Sequence, residues 1–319
     1  MYSELLRILT VILFCVVLFS GSGIAYANAE KSEMQMYVDN LHPGWNLGNT
    51  FDAKGSETSW GNPKTTKEMI DFIASQGFKS IRIPVTWGHR MGRAPEYTIE
   101  PQFLERVASV VDWALENDLY VMLNMHHDTD WIFHMERRYD TVLAQFEAAW
   151  VQIADYFKDY PLEVMFESLN EPRFDQDWGR DTPRYFEMLD DLNTSFYGIV
   201  RGSGGNNDVR PLVFSTLTAS VSQKRMNELA KTMSKFNDHR LIATVHYYGY
   251  HSFSVNVAGE TRFGQAAKVD LTASLDRAYN TFVSKGIPVI IGEFGLLGFD
   301  KHLGTIQQGE KLKFFEYMT

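Results

Sequence analysis

Two glutamates stand where this chain can place reactive groups. Glu171 closes Ser168-Leu169-Asn170-Glu171-Pro172, just after the apolar run Val164-Met165-Phe166, and Glu293 lies in Ile290-Ile291-Gly292-Glu293-Phe294-Gly295. A pair of carboxyl groups around one bond is what glycoside hydrolysis requires: one protonates the leaving oxygen, and the other attacks the sugar or activates water. Both glutamates end strand-like runs, three strand–helix units apart. On a closed barrel those runs face each other across the mouth, and the carboxylates approach to about 5 Å, the separation of a retaining mechanism. A single glutamate at a strand end is more often a solvated loop residue or a helix cap; the pair and its neighbours carry the reading. Glu167 is a competing acid four residues before Glu171, roughly 13 Å down the strand at about 3.3 Å per residue. That depth suits a buried polar network rather than the rim.

The surrounding polar residues fit the same chemistry. Arg82 sits between Ile81 and Ile83, and a charge inside an apolar run needs a partner. Pairing with Glu293 would hold that carboxylate ionised by lowering its pKa. Asn170 is placed to hydrogen-bond a sugar hydroxyl beside the cleaved bond. His126, His127, His246 and Tyr248 add polar groups at the ends of the third and sixth runs, the tyrosine within expected reach of the nucleophile, and Asn46 ends the first. Trp45, Trp60, Trp87, Trp131 and Trp178 read as rim tryptophans suited to stacking on glucose rings, with Trp131 and Trp45 the first candidates. Histidine and glutamate are ligand types zinc accepts, but no His-x-x-x-His or similar local spacing occurs. No metal site and no cofactor is expected. A serine-hydrolase Gly-x-Ser-x-Gly elbow is also absent from the sequence.

These groups need strands to aim them and helices to hold the strands. Short apolar runs at 44–47, 80–85, 120–124, 163–169, 212–215, 241–247 and 288–293 read as parallel strands buried on both faces. Between them lie helical patterns at 101–117, 141–157, 184–200, 272–285 and 305–318. In the first of these Phe103, Leu104, Val107, Val110, Val111, Ala114 and Leu115 recur every three or four residues, behind a proline suited to a first helical position. Alternating strand and helix implies a parallel α/β sheet. No glycine-rich phosphate loop follows the first strand, and polar residues end strand after strand, which favours a barrel whose strand ends converge on one rim. The count reaches seven strands and seven helices. The expected fold is a (β/α)8 TIM barrel, apparently truncated before its eighth strand.

Composition narrows the partners. The 319 residues carry a formal charge of −10, which argues against phosphate-rich nucleic acid and leaves a neutral polymer unaffected. Residues 1–29 read as a signal peptide: Arg7, an apolar core from Leu9 to Phe19, and Ala27-Asn28-Ala29 for cleavage. Cys15, the single cysteine, lies in that leader. Residues 30–319 are then a secreted, thiol-free catalytic domain, monomeric, free of the membrane once cleaved, and dependent on core burial for stability.

At these residues the chain resembles glycoside hydrolase family 5, in the endoglucanase branch that contains xyloglucanases. The resemblance runs from Gly44-Trp45-Asn46-Leu47-Gly48-Asn49-Thr50 to the end of the chain, with Leu169-Asn170-Glu171-Pro172 matching the acid/base motif and Ile291-Gly292-Glu293-Phe294-Gly295 the nucleophile motif. Arg82, His126, Asn170, His246 and Tyr248 match further active-site positions of the family. It implies a (β/α)8 barrel, retention of configuration, no cofactor, and an open cleft for endo-cutting of β-1,4-glucan: cellulose, xyloglucan or mixed-linkage glucan. The family also carries a tryptophan on strand eight, which this sequence does not reach. Two alternatives accompany the expectation, a non-catalytic glucan-binding module and a β-mannanase using the same pair.

Overall fold

The structure, a computed structural model, describes residues 31–297, 306 and 308–319; the leader read in residues 1–29 lies outside them. Seven strands line up in chain order, every neighbouring pair parallel: β1 (Gly44–Asn46), β2 (Ser80–Ile83), β3 (Tyr120–Asn124), β4 (Val164–Glu167), β5 (Leu212–Ser215), β6 (Leu241–Tyr247) and β7 (Val289–Phe294). The helices longer than one turn are α1 (Glu33–Asp39), α2 (Lys67–Ser75), α3 (Pro101–Leu115), α4 (Tyr139–Phe157), α5 (Pro183–Gly202), α6 (Gln223–Met233), α7 (Gln265–Thr281) and α8 (Gln308–Met318). This is the (β/α)8-barrel plan, and the described residues supply seven of its strands. Across the two outer strands, the Asn46 side chain on β1 donates to Gly292 O on β7 at 2.9 Å.

Local chemistry sets the element ends. Thr66 and Thr182 cap α2 and α5, their hydroxyls accepting Met69 N–H and Tyr185 N–H, and Pro101 and Pro183 open α3 and α5. Of the α3 stripe expected from spacing, Leu104, Val107, Val110, Val111 and Ala114 are buried in the core, while Phe103 and Leu115 at its two ends are half-buried against it. Leu104 and each valine contribute about 1.5–3 kcal/mol on leaving water. The last long helix starts earlier than its hydropathy suggests. α7 begins at Gln265, because its buried stripe is Ala267, Leu271, Ser274 and Ala278, too small and polar to announce itself.

Alternation along the strands divides the barrel into layers. The outward residues Ile81, Val121, Leu123, Val164, Phe166, Leu212 and Phe214 join the helices in the main core. Inward, Met122, Met165, Val213 and Ile242 form an apolar plug, closed from the N-terminal end of the strands by Met34 and Leu41. One inward position further along come Arg82, Asn124 and Glu167, all buried. The plug fills the bottom of the barrel, so the polar layer can open only upward, at the C-terminal ends of the strands.

Candidate active site

Arg82 organises the polar layer. Its Nε and Nη2 donate to Glu167 Oε2 and Oε1 at 2.7 and 3.2 Å, Nη2 also to Asn170 Oδ1 at 2.7 Å, and Nη1 to Glu293 Oε1 at 2.7 Å and Asn46 Oδ1 at 3.1 Å. The guanidinium fork thus ties β1, β2, β4 and β7 together at one height. Glu167 is fully buried beneath the rim, in the network its depth suggested. Burial works against the Arg82 charge, but Glu167 and Glu293 outweigh it and raise its pKa.

Glu293 owes its direction to a break in the β6–β7 ladder. Val245 pairs with Ile291, yet the next pair is His246 with Glu293, so Gly292 is an extra residue on β7. Strict alternation would put Glu293 on the opposite face from Ile290, among the helices; a one-residue bulge flips it into the mouth. The bulge also suits glycine: a Cβ at 292 would come within 2.9 Å of Thr244 Oγ1 and 3.0 Å of His246 Nε2. Glu171 reaches the same mouth by another route, from a backbone in the left-handed region (φ 41°) just past β4, a conformation that non-glycine residues hold only where the surroundings enforce it.

The two carboxylates meet at His246. Its Nδ1 is 3.0 Å from Glu171 Oε1 and 3.7 Å from Glu293 Oε2, and one oxygen of each glutamate lies within 4.8 Å of the other. Tyr248 Oη donates to Glu293 Oε2 at 2.8 Å. Burial pushes the Glu293 carboxyl up, but His246, Arg82 and the Tyr248 hydroxyl together outweigh it and hold its pKa below the ordinary carboxylate value. The Tyr248 phenol is raised in turn, by burial and then by Glu293. His126 approaches from β3, its Nε2 3.8 Å from Glu293 Oε1, and burial followed by the Arg82 charge drives its pKa well below the usual imidazole value.

The remaining sequence candidates fall in different places. Asn46 is at the rim, but both ends of its amide are used, on Arg82 and on Gly292 O; it holds the site rather than offering a free group. Asn170 accepts from Arg82 through Oδ1, which leaves its NH2 as the end able to donate. His127 lines the cleft wall, its ring 5.4 Å from that of Trp60 and its Nε2 3.8 Å from Asp52 Oδ2.

The tryptophans need correction. Trp45 lies within β1 beside inward-facing Asn46, so alternation turns it outward, where it packs edge-on against Phe78. Trp87 is wholly buried, donating to Asn124 O, and Trp131 is half-buried, its indole N–H on Asp128 Oδ1 at 2.9 Å. The exposed rings beyond the strand ends are Trp60 and Trp178, the latter 3.9 Å from the Arg173 guanidinium. A tryptophan's place in sequence does not reveal which way its loop turns.

Two further site residues had no role assigned from the sequence. Asp128 accepts from Trp87 N–H, Gly88 N–H and Trp131 Nε1, pinning the loop after β2 to the loop after β3. Asn124 joins Glu167 to His126. Its signal was available: a carboxamide ending an otherwise apolar strand is a buried polar group that must have partners.

Glu171, His246 and Glu293 have the spacing of a metal-binding trio, as do Asp52, His126 and His127. However, Glu293 is already engaged with Arg82 and Tyr248, and His246 with Glu171, and the Arg82 charge beside His126 opposes a second cation.

Known proteins resemble the chain along most of its length. Residues 46–319 match the family described as Cellulase (glycosyl hydrolase family 5). An endoglucanase B of Paenibacillus lautus is 56% identical over 92% of this chain and 52% of its own length, and an endoglucanase B of Clostridium cellulovorans is 35% identical over 89% and 67%. Among solved structures, the tri-modular endo-β-1,4-glucanase B of Bacillus halodurans superposes with a TM-score of 0.87 at 57% identity, covering 91% of this chain and 55% of that one. A broad-specificity endoglucanase of family 5 subfamily 4 from Clostridium acetobutylicum gives 0.82 at 36% identity, covering 89% and 85%. The chain thus spans about half the length of the first two of these relatives in identity.

Proposed function

The chain belongs to glycosyl hydrolase family 5, and from that membership and the geometry of its rim we propose that it cuts internal β-1,4 bonds of cellulose-type glucan with retention of configuration. The reading rests on one observation: a carboxylate oxygen of Glu171 and one of Glu293 lie within 4.8 Å of each other and share His246. That spacing suits direct attack on the sugar and leaves no room for the water that an inverting enzyme places between its carboxyl groups.

Glu171 is the general acid. It gives its proton to the glycosidic oxygen as Glu293 attacks the anomeric carbon, so the C–O bond breaks and a glycosyl ester forms on Glu293. Water then attacks that carbon and yields its proton to Glu171, now the base, and Glu293 leaves as carboxylate. Arg82, His246 and Tyr248 keep Glu293 ionised, the state in which it is a nucleophile. Trp60 and Trp178 supply exposed aromatic faces for glucose rings. The relatives named as endoglucanases support a β-1,4-glucan as the polymer, and the leader read in residues 1–29 supports a secreted enzyme.

Two variants test the assignment. Glu171→Gln is expected to lower polymer turnover by about 10²–10⁴-fold while sparing aryl glycosides whose leaving group needs no proton. Glu293→Ala is expected to abolish covalent labelling by a fluorosugar inactivator. Polymer turnover surviving in Glu171→Gln, or labelling of another residue, refutes the roles. Glucan bound by the unaltered chain with no reducing sugar released points instead to a binding module.

A further inference from the structure

We infer that Asn124 is a positioning residue that fixes the tautomer of His126, so that the imidazole presents an N–H, not a lone pair, beside Glu293. The inference rests on the proposed glucanase reading for its functional consequence, but not for its geometry.

The Asn124 amide is oriented by two neighbours whose polarity is not in question. Val85 N–H donates to one end at 3.2 Å, so that end is the oxygen; Arg82-paired Glu167 Oε2 lies 2.9 Å from the other, so that end is the NH2. The same NH2 lies 3.1 Å from His126 Nδ1. A donor facing Nδ1 at that distance requires Nδ1 to accept. His126 is neutral, because burial and the Arg82 charge lower its pKa far below the usual value. A neutral imidazole has one N–H and one lone pair, and the hydrogen bond at one nitrogen decides which the other carries. The proton is therefore on Nε2, the atom 3.8 Å from Glu293 Oε1. That distance is too long for a direct hydrogen bond, so the N–H is held for a sugar hydroxyl next to the nucleophile. The opposite tautomer would set a lone pair against the carboxylate and remove the donor.

Asn124 is fully buried and does not reach the cleft; it acts through His126. The chain of control runs from Arg82 to Glu167, to the Asn124 NH2, to His126 Nδ1, and ends at a donor beside Glu293. Asparagine is the one isostere of aspartate that can do this, since the position must accept on one side and donate twice on the other.

The test begins with long-range ¹H–¹⁵N spectra of the histidine rings, with His126 assigned by its loss in His126→Gln. In the unaltered protein, a bare Nδ1 and a protonated Nε2, unchanged from pH 5 to 8, are expected. Asn124→Asp replaces the donor with an acceptor, so Nδ1 should become protonated. The kcat should fall by about 10²-fold, the cost of losing one donor near developing charge, with KM little changed. In the His126→Gln background the same substitution should cost less than about 3-fold, because partners in one network are not additive. An Nδ1–H in the unaltered protein, an unchanged ring spectrum in Asn124→Asp, or losses that multiply in the double variant would overturn the inference. The first spectrum needs neither substrate nor variant stability. A correct tautomer in a chain that releases no sugar would condemn the glucanase reading and leave this one standing.

Discussion

Two buried arginines, one at each end of the barrel, are satisfied in opposite ways. Arg82, at the rim, pairs with two carboxylates and two amide oxygens. Arg210, at the start of β5, meets no carboxylate. It donates to Phe157 O, Tyr160 O, Pro161 O, Val164 O and Asn207 Oδ1 at 2.6–2.9 Å. One of those carbonyls, Phe157 O, ends α4, where the helix dipole is negative. Burial consequently pulls Arg210 down to about 10, whereas at the rim the carboxylates win and raise Arg82. A cation that only has to stitch chain segments together can use backbone oxygens, whose charge never changes. A cation that is to set the charge of the proposed nucleophile has to sit against titratable groups. The bottom of the barrel is built for permanence and the top for control.

The same conservative substitution at both ends should separate these roles. Arg82→Lys keeps a positive charge but loses the fork that reaches both carboxylates. A fall in kcat/KM of about 10³-fold is expected, together with a shift of the acid limb of the pH profile. Arg82 helps hold Glu293 below the ordinary carboxylate value, so weakening it raises the Glu293 pKa, and activity should be lost at higher pH than in the unaltered enzyme. The linked stability has the same sign: a depressed carboxyl contributes stability above its unfolded pKa and loses it as pH falls through its folded pKa. Arg82→Lys should shrink that contribution, which pH-dependent denaturant unfolding would show. An unmoved acid limb would break the comparison at the rim.

Arg210→Lys should do the reverse. Losing the fork leaves at least one buried carbonyl unsatisfied, at about 1–3 kcal/mol. Lower resistance to urea with unaltered kcat/KM and an unaltered pH profile is the expected pair of results; a changed pH profile would show that the two ends are coupled. At the rim, a smaller effect than that of Arg82→Lys belongs to Tyr248→Phe. It removes one hydrogen bond to the Glu293 carboxylate, worth about 1.5–3 kcal/mol to a charged group, so about a 10-fold or greater loss in kcat is expected. Its upward shift of the acid limb should be smaller than that of Arg82→Lys, because Arg82 acts on Glu293 through both its charge and a hydrogen bond.

Much was legible before any fold. β3, β5 and β6 begin and end where their apolar runs do, because parallel strands covered on both faces must be apolar throughout. The two glutamate motifs and the Arg82–Glu293 pairing followed from residue type, since a charge between isoleucines has to be matched. The tryptophans were not legible, because exposure depends on how a loop packs. Trp87 sits in the core and Trp45 on the helix side of its strand for reasons found in neighbours far away in sequence.

The chain by itself determined which residues are candidates for the chemistry, the order of strands and helices that carries them, and apolar stripes such as that of α3, because these depend on short-range periodicity. Tertiary structure alone decided where the reactive atoms point. Period-two alternation would have sent Glu293 into the helices; the extra residue at Gly292 turns it inward. Glu171 needs a left-handed backbone held by its surroundings, and the side of the His126 ring that carries its proton is set by an amide whose own orientation comes from Val85 and Glu167. Direction, protonation and charge depend on partners brought together from distant strands, and no local pattern records them.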